Sequence, residues 1–243
     1  MSEQIFNDLK SLETKLGLPV DFYKNLLYES DWSFVIKLSA MFEAAATHAL
    51  TERLGHPNLL KSFSFLEHAN GRYGKIKLLK ELNIITKEQA PVLTKLAELR
   101  NRFAHDVSNV NITLEMYIDE MSDKNQREAF VSWAGLGINQ DPILFKEGHS
   151  ITKKDFVLQN PKFAIWVTSA EILACIYLDV NLSSHRNQLP IYKMLIGFLN
   201  PGVMNKMNQT SFDIVELDKN HSTTRRVIKA DPQEIAGLVK ASA

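Results

Sequence analysis

Thr86-Lys87-Glu88-Gln89-Ala90-Pro91-Val92-Leu93-Thr94-Lys95-Leu96-Ala97-Glu98-Leu99-Arg100-Asn101-Arg102-Phe103-Ala104-His105 is the stretch on which the fold class turns. At about 100° per residue, Val92, Leu93, Leu96, Ala97, Leu99, Phe103 and Ala104 fall on one broad stripe, which is the signature of an amphipathic helix. Thr86-Lys87-Glu88-Gln89 reads as the helix start, with Thr86 as its capping residue. Arg100 projects into the middle of the stripe, where an unpaired guanidinium is costly, so an acidic partner is expected.

Upstream of it, Asp31 to Leu54 predicts a long helix capped by Asp31 and stopped at Gly55-His56-Pro57. Its stripe is Phe34, Val35, Leu38, Phe42, Ala45, Ala46, Ala49 and Leu50, with Glu43 inside one edge. Two charges of opposite sign on two apolar stripes predict a Glu43–Arg100 pair across a helical bundle. The alternative is that each side chain reaches a different surface along its own stem. Asn101 and His105 share another face with Thr94 and Glu98, about 140° from the apolar centre.

The rest of the chain also reads as mainly α. Residues 4–16 predict a helix closed by Gly17, residues 20–29 a second short helix, residues 59–69 another short segment, and Gly71 to Leu82 a further helix joined to Thr86 through Asn83-Ile84-Ile85. Residues 112–134 read as helical, and Gly135-Leu136-Gly137, Asp141-Pro142 and Gly148 as turns. A short strand within 149–158 and a helix over 161–181 follow. Beyond residue 183 the reading is a helix near 188–199, a β-hairpin from Phe212–Leu217 and Arg226–Ala230, and a short helix started by Asp231-Pro232.

Composition bounds the function classes. With 243 residues, 45% of them hydrophobic, the chain can bury one core with additions or two small ones. Lys+Arg and Asp+Glu are 28 each, so bulk charge gives no nucleic-acid affinity and any RNA contact needs a local patch or a dimer groove. Met1-Ser2-Glu3-Gln4 lacks a secretory pattern, and the apolar run Phe163–Leu182 carries Thr168, Ser169, Glu171 and Asp179, which predicts a buried bundle helix and no membrane partner. Cys175, alone in the sequence, reads as a small core residue in a reducing cytoplasm.

Arg100, Asn101 and His105 are the groups that RNA cleavage without a metal requires. Histidine titrates in the range of the proton steps, arginine offers a donor fork matched to phosphate, and an amide can orient a phosphate oxygen. One copy holds a single such histidine, and two copies meeting in a dimer would supply an acid and a base. The seven histidines form no His-x-x-x-His, there is no Cys-x-x-Cys, and no metal or cofactor is expected. Gly71-Arg72-Tyr73-Gly74-Lys75-Ile76 lacks the spacing of a phosphate loop. Lys75, Lys77 and Lys80, and Arg225-Arg226 with Lys229, read as solvated surface able to contact phosphate.

Arg-Asn-x-x-x-His at 100–105 resembles the signature of the HEPN superfamily. The resemblance implies an antiparallel helical bundle, a motif paired across a homodimer interface, and metal-independent endoribonuclease activity of toxin or defence type. Arg100, Asn101 and His105 would be catalytic, with Glu43 as a supporting acid. Gly74-Lys75-Ile76-Lys77-Leu78-Leu79-Lys80-Glu81-Leu82-Asn83-Ile84-Ile85-Thr86-Lys87, leading into Leu99–Asp106, resembles the mannitol-repressor family of helical bacterial regulators. That resemblance implies a non-catalytic regulatory or binding protein using the same bundle, with an antitoxin or regulatory protein as an alternative partner to RNA. In mannitol-repressor relatives the position after the arginine is usually not asparagine, so Asn101 points to the nuclease side. The domain division expected is an N-terminal helical extension over 1–30, a HEPN-like bundle over 31–182 with an insertion at 108–158, and a small α+β appendage over 183–243.

Overall fold

The computed structural model describes the backbone of residues 3–105, 107–145 and 149–199. The expected C-terminal hairpin and last helix, the Arg225-Arg226 and Lys229 patch, and the Gly148 turn lie outside the described residues. Within them the chain is mainly helical: α1 (Glu3–Leu16), α2 (Phe22–Asn25), α3 (Asp31–Leu54), α4 (Leu60–Ser64), α5 (Lys75–Glu81), α6 (Gln89–Ala104), α7 (Leu114–Asp119), α8 (Lys124–Ala134), α9 (Lys153–Gln159) and α10 (Pro161–Leu199). The two strands, β1 (Ile143–Leu144) and β2 (Ser150–Ile151), form an antiparallel pair with Ile143 opposite Ile151.

α3 is the central helix, packed against α10, α6 and α5. Ser30, not Asp31, caps it by accepting a hydrogen bond from the Ser33 amide. This leaves the Asp31 carboxylate to bind Lys162 Nζ at 2.6 Å and the Leu114 amide at 2.8 Å. Gly55 ends the helix in the left-handed region, at φ 67°, where glycine has no steric penalty.

Helix directions follow from which ends meet. Asp31 and Lys162 join the starts of α3 and α10, and Arg53 binds Asp179 at 2.8 Å farther along both, so these helices run parallel. The α1 contacts Phe6–Trp166 and Lys15–Asn181 also run in step with α10. α6 runs the other way, because Trp32 Nε1 at the start of α3 donates to the Phe103 carbonyl at the end of α6. Within the core α1, α3 and α10 share a direction and α6 opposes them, so the helical bundle is antiparallel between α3 and α6 and parallel between α3 and α10. The cause is the segment between α6 and α10, which stays at the end where α6 finishes, tied there by Leu114 to Asp31 and by the Gly137 amide to Thr168 Oγ1 at 2.9 Å.

That segment makes Gly137 a sensitive position. A Cβ there would sit 2.8 Å from Thr168 Cα, which is backbone of α10 and cannot swing aside. Gly137→Ala is expected to lower unfolding free energy by about 1–3 kcal/mol, read as a shift in denaturation midpoint.

α10 is the longest helix and carries the most apolar window in the fold. By length and composition it could span a membrane, but 72% of that window is buried against the other helices. Trp166 and Tyr23 lock α10 to the α2 region: the rings stack at 5.2 Å, the Tyr23 hydroxyl donates to the Trp166 carbonyl, and Trp166 Nε1 donates to the Tyr23 carbonyl at 3.0 Å. Each polar atom of the two large rings is satisfied, as burial requires. α10 also passes unbroken through residues 182 and 183 to residue 199, so the helix expected near 188–199 is its continuation. Asn187 Nδ2 donates to the Glu52 carbonyl at 2.7 Å, filling the end of α3 next to Gly55.

Other differences are local. The helix expected from Gly71 starts at Lys75, because Asn70 Oδ1 accepts from the Arg72 and Tyr73 amides and holds 70–73 as a turn. Residues 112–134 divide into α7 and α8, each with its own cap, Thr113 and Asp123. Residues 149–158 give only a two-residue strand before α9, which Thr152 caps through the Asp155 amide.

Candidate functional site

The helix carrying the Arg-Asn-x-x-x-His motif is held at both ends. At the start of α6, Thr86 and Gln89 form a reciprocal capping box, with the Thr86 amide donating to Gln89 Oε1 at 3.0 Å and the Gln89 amide to Thr86 Oγ1 at 3.2 Å. Gln89 Nε2 also donates to Cys175 Sγ at 3.7 Å. At the far end, the Asn101, Arg102 and Phe103 carbonyls accept from the His105 amide, Asn109 Nδ2 and Trp32 Nε1 respectively. These contacts satisfy carbonyls a helix end leaves open.

Arg100, Asn101 and His105 are all exposed at this end. Arg100 Nη1 donates to Asn101 Oδ1 at 3.1 Å, so the guanidinium and the amide form one unit. His105 is the residue that closes the helix. Beside them Arg102 binds Glu120 and lies over the Tyr117 ring at 4.9 Å, an ion pair and a cation–π contact that fix α6 to α7. Burial pushes the Tyr117 phenol above its usual range, with Arg102 opposing.

The expected position of Arg100 is corrected. Angularly it follows the buried flank that includes Leu93, which is 1% exposed, yet Arg100 itself is on the surface. The reason is axial: α5 begins only at the level of Glu43, well along α3 from Trp32, so its cover over α6 stops before the level of Arg100. A helical projection carries the angle and not the height.

The Glu43–Arg100 pair is corrected with it. Glu43 Oε1 binds Lys75 Nζ at 3.2 Å, and Lys75 also donates to the Ser64 carbonyl at 3.4 Å. The Lys75 side chain is 1% exposed and that of Glu43 is 49% exposed, so the cation is interior and its partner opens to water. Lys75, expected on the solvated surface, precedes the buried Leu79 by one helical turn and shares its face with Ile76. That spacing was the available signal.

His68 completes this second cluster. Its Nδ1 is buried without a hydrogen-bond partner, and burial, with Lys75 adding to it and Glu43 opposing, lowers the imidazole pKa to about 4. The unfolded histidine takes a proton near pH 6.5 while the folded one resists until about pH 4. Its contribution is therefore present above pH 6.5 and lost as the pH falls toward 4, up to about 3 kcal/mol. Glu13, whose carboxyl is raised by burial, contributes in the opposite sense and loses stability as pH rises. His68→Asn is accordingly expected to shrink the drop in urea midpoint between pH 7.5 and pH 4.5, and an unchanged drop would refute this assignment.

No group of three His, Cys, Asp or Glu side chains placed to hold a metal occurs among the described residues. Compared with protein-family models, curated proteins and solved structures, the chain matches none of them.

Proposed function

We propose that this chain is a HEPN-like, metal-independent endoribonuclease of toxin or defence type that acts as a homodimer in the cytoplasm. The observation that carries the reading is the joint exposure of Arg100, Asn101 and His105 at one end of α6, with Arg100 already bonded to Asn101. Exposed donors on a capped helix end suit a substrate phosphate, and a second copy facing them would bring a second histidine. In the reaction, one His105 takes the proton of the RNA 2′-OH and that oxygen attacks the adjacent phosphorus. The P–O5′ bond then breaks and the His105 of the second copy protonates the leaving oxygen. Arg100 stabilises charge on the phosphoryl oxygens, and Asn101 holds the Arg100 fork. Glu43, committed to Lys75, has no part in this site.

The test is incubation of labelled RNA with the protein in excess chelator, comparing wild type, His105→Ala and Arg100→Ala. Cleavage lost in both variants supports the nuclease, and identical background in all three sinks it. The second reading is a non-catalytic regulatory protein resembling the mannitol-repressor group, with a protein partner docking on this end of the bundle. It is favoured by one observation: among the described residues the partner of the Arg100 guanidinium is a neutral amide, which leaves its charge open to an acidic group of a docking protein.

A further inference from the structure

The chain is neutral overall, but its charge is not evenly spread. Between Gly55 and Lys80 it carries Lys61, Arg72, Lys75, Lys77 and Lys80 against one acid, Glu67. Lys75 is neutralised inside by Glu43 and Lys77 is paired with Glu81 at 3.6 Å, while Lys61, Arg72 and Lys80 are exposed. Glu67 is engaged by Asn70 Nδ2 at 2.8 Å.

The same lobe presents two of the most exposed aromatic rings, Phe65 at 79% and Tyr73 at 59%. At this exposure most of each ring faces water. They flank a loop that is stapled and not loose: the Lys75 amide donates to the Glu67 carbonyl at 3.0 Å, that of Ile76 to His68 at 3.1 Å, and that of Gly74 to Asn70 at 2.8 Å. Asn70 holds the turn from within, and the buried Lys75 ammonium, bound to Glu43, anchors its end to α3. Phe65 and Tyr73 thus stand at the two ends of a pinned loop, with Lys61 one turn before Phe65, Arg72 next to Tyr73 and Lys80 farther along α5, all exposed.

We propose that the α4–α5 lobe is a binding surface for single-stranded RNA, with Phe65 and Tyr73 stacking on unpaired bases and Lys61, Arg72 and Lys80 contacting phosphates. Exposed aromatic faces interleaved with cations match an unpaired strand, whose bases are free to stack and whose backbone is anionic. A duplex offers the phosphates without the free bases. The inference rests on the ribonuclease reading for its choice of RNA, and it gives the substrate a second point of attachment away from the Arg100 end.

The test uses the full chain carrying His105→Ala, so that binding is read without cleavage, and a fluorescent single-stranded RNA titrated by anisotropy over a range of salt. The double variant Phe65→Ala/Tyr73→Ala is expected to weaken binding about tenfold or more. Lys61→Ala/Arg72→Ala should reduce the salt slope by about 1.4, two single-strand phosphate contacts. Lys124→Ala, on α8, should change neither, and circular dichroism checks that each variant is folded. Affinity unchanged in both lobe variants, or a duplex of the same sequence bound equally well, would overturn the proposal. If the lobe variants lose RNA while wild type never cleaves it, the lobe stands and the nuclease reading falls. If cleavage depends on His105 and the lobe variants bind normally, the lobe falls alone.

Discussion

His105→Ala is expected to slow metal-independent RNA cleavage by about 10²–10⁴-fold, the range a positioned proton-transfer group supplies. The fold has little to lose by this truncation. His105 is exposed, and what it gives to the end of α6 is its backbone amide, donated to the Asn101 carbonyl at 3.0 Å and retained by alanine. Thermal midpoints of wild type and variant should therefore agree within a few degrees while rates separate by orders of magnitude. Arg100→Lys should also fall well below wild type although the charge is kept, because a lysine ammonium lacks the planar fork that can serve the Asn101 oxygen and a phosphate together. A variant that lost stability and activity in proportion would assign His105 a structural role.

The second large effect is a contrast of opposite outcomes at one ion pair. Glu43→Ala leaves a cation with 1% exposure under the α4–α5 loop with, among the described residues, only the Ser64 carbonyl at 3.4 Å. Breaking a fully buried pair costs about 3–5 kcal/mol, and the half-exposed side of Glu43 reduces that here to about 2 kcal/mol. Lys75→Met keeps most of the side-chain length, removes the buried charge and leaves Glu43 facing water. It is expected to be neutral within about 1 kcal/mol. Urea unfolding of the two variants reads the difference directly. Equal destabilisation by both would mean that the pair itself is strongly net stabilising, and the account of Lys75 as a costly cation held in place would fail.

The parts of this fold that could be read in advance were those set by local chemistry. The extent of α3 followed from an apolar stripe and a terminating glycine, and the start of α6 from the capping Thr86, both of which the structure retains. Short polar signals were readable but outweighed by longer patterns: Asn70 set the true start of α5, Asp123 separated α7 from α8, and Thr152 opened a helix where a strand was expected. What could not be read depends on height along an axis and on which helix lies alongside. Arg100 had the angle of a buried residue and the level of an exposed one, and Glu43 found Lys75 because α5 begins beside it. The parallel course of α3 and α10 is fixed by contacts between residues far apart in sequence, such as Asp31 with Lys162. No periodicity within one segment encodes that. Of the candidate site, the residue types and their common end of α6 were legible. The exposure of Arg100 and the dismissal of Glu43 were not.

The chemical identity of the RNA ends made in excess chelator distinguishes attack by the 2′-oxygen from hydrolysis by water. Attack by the 2′-oxygen, with His105 moving the protons, predicts 2′,3′-cyclic phosphate on one fragment and 5′-hydroxyl on the other, both absent when His105 is alanine. Fragments bearing 3′-hydroxyl and 5′-phosphate ends, or cyclic ends that persist in the His105→Ala protein, would contradict it.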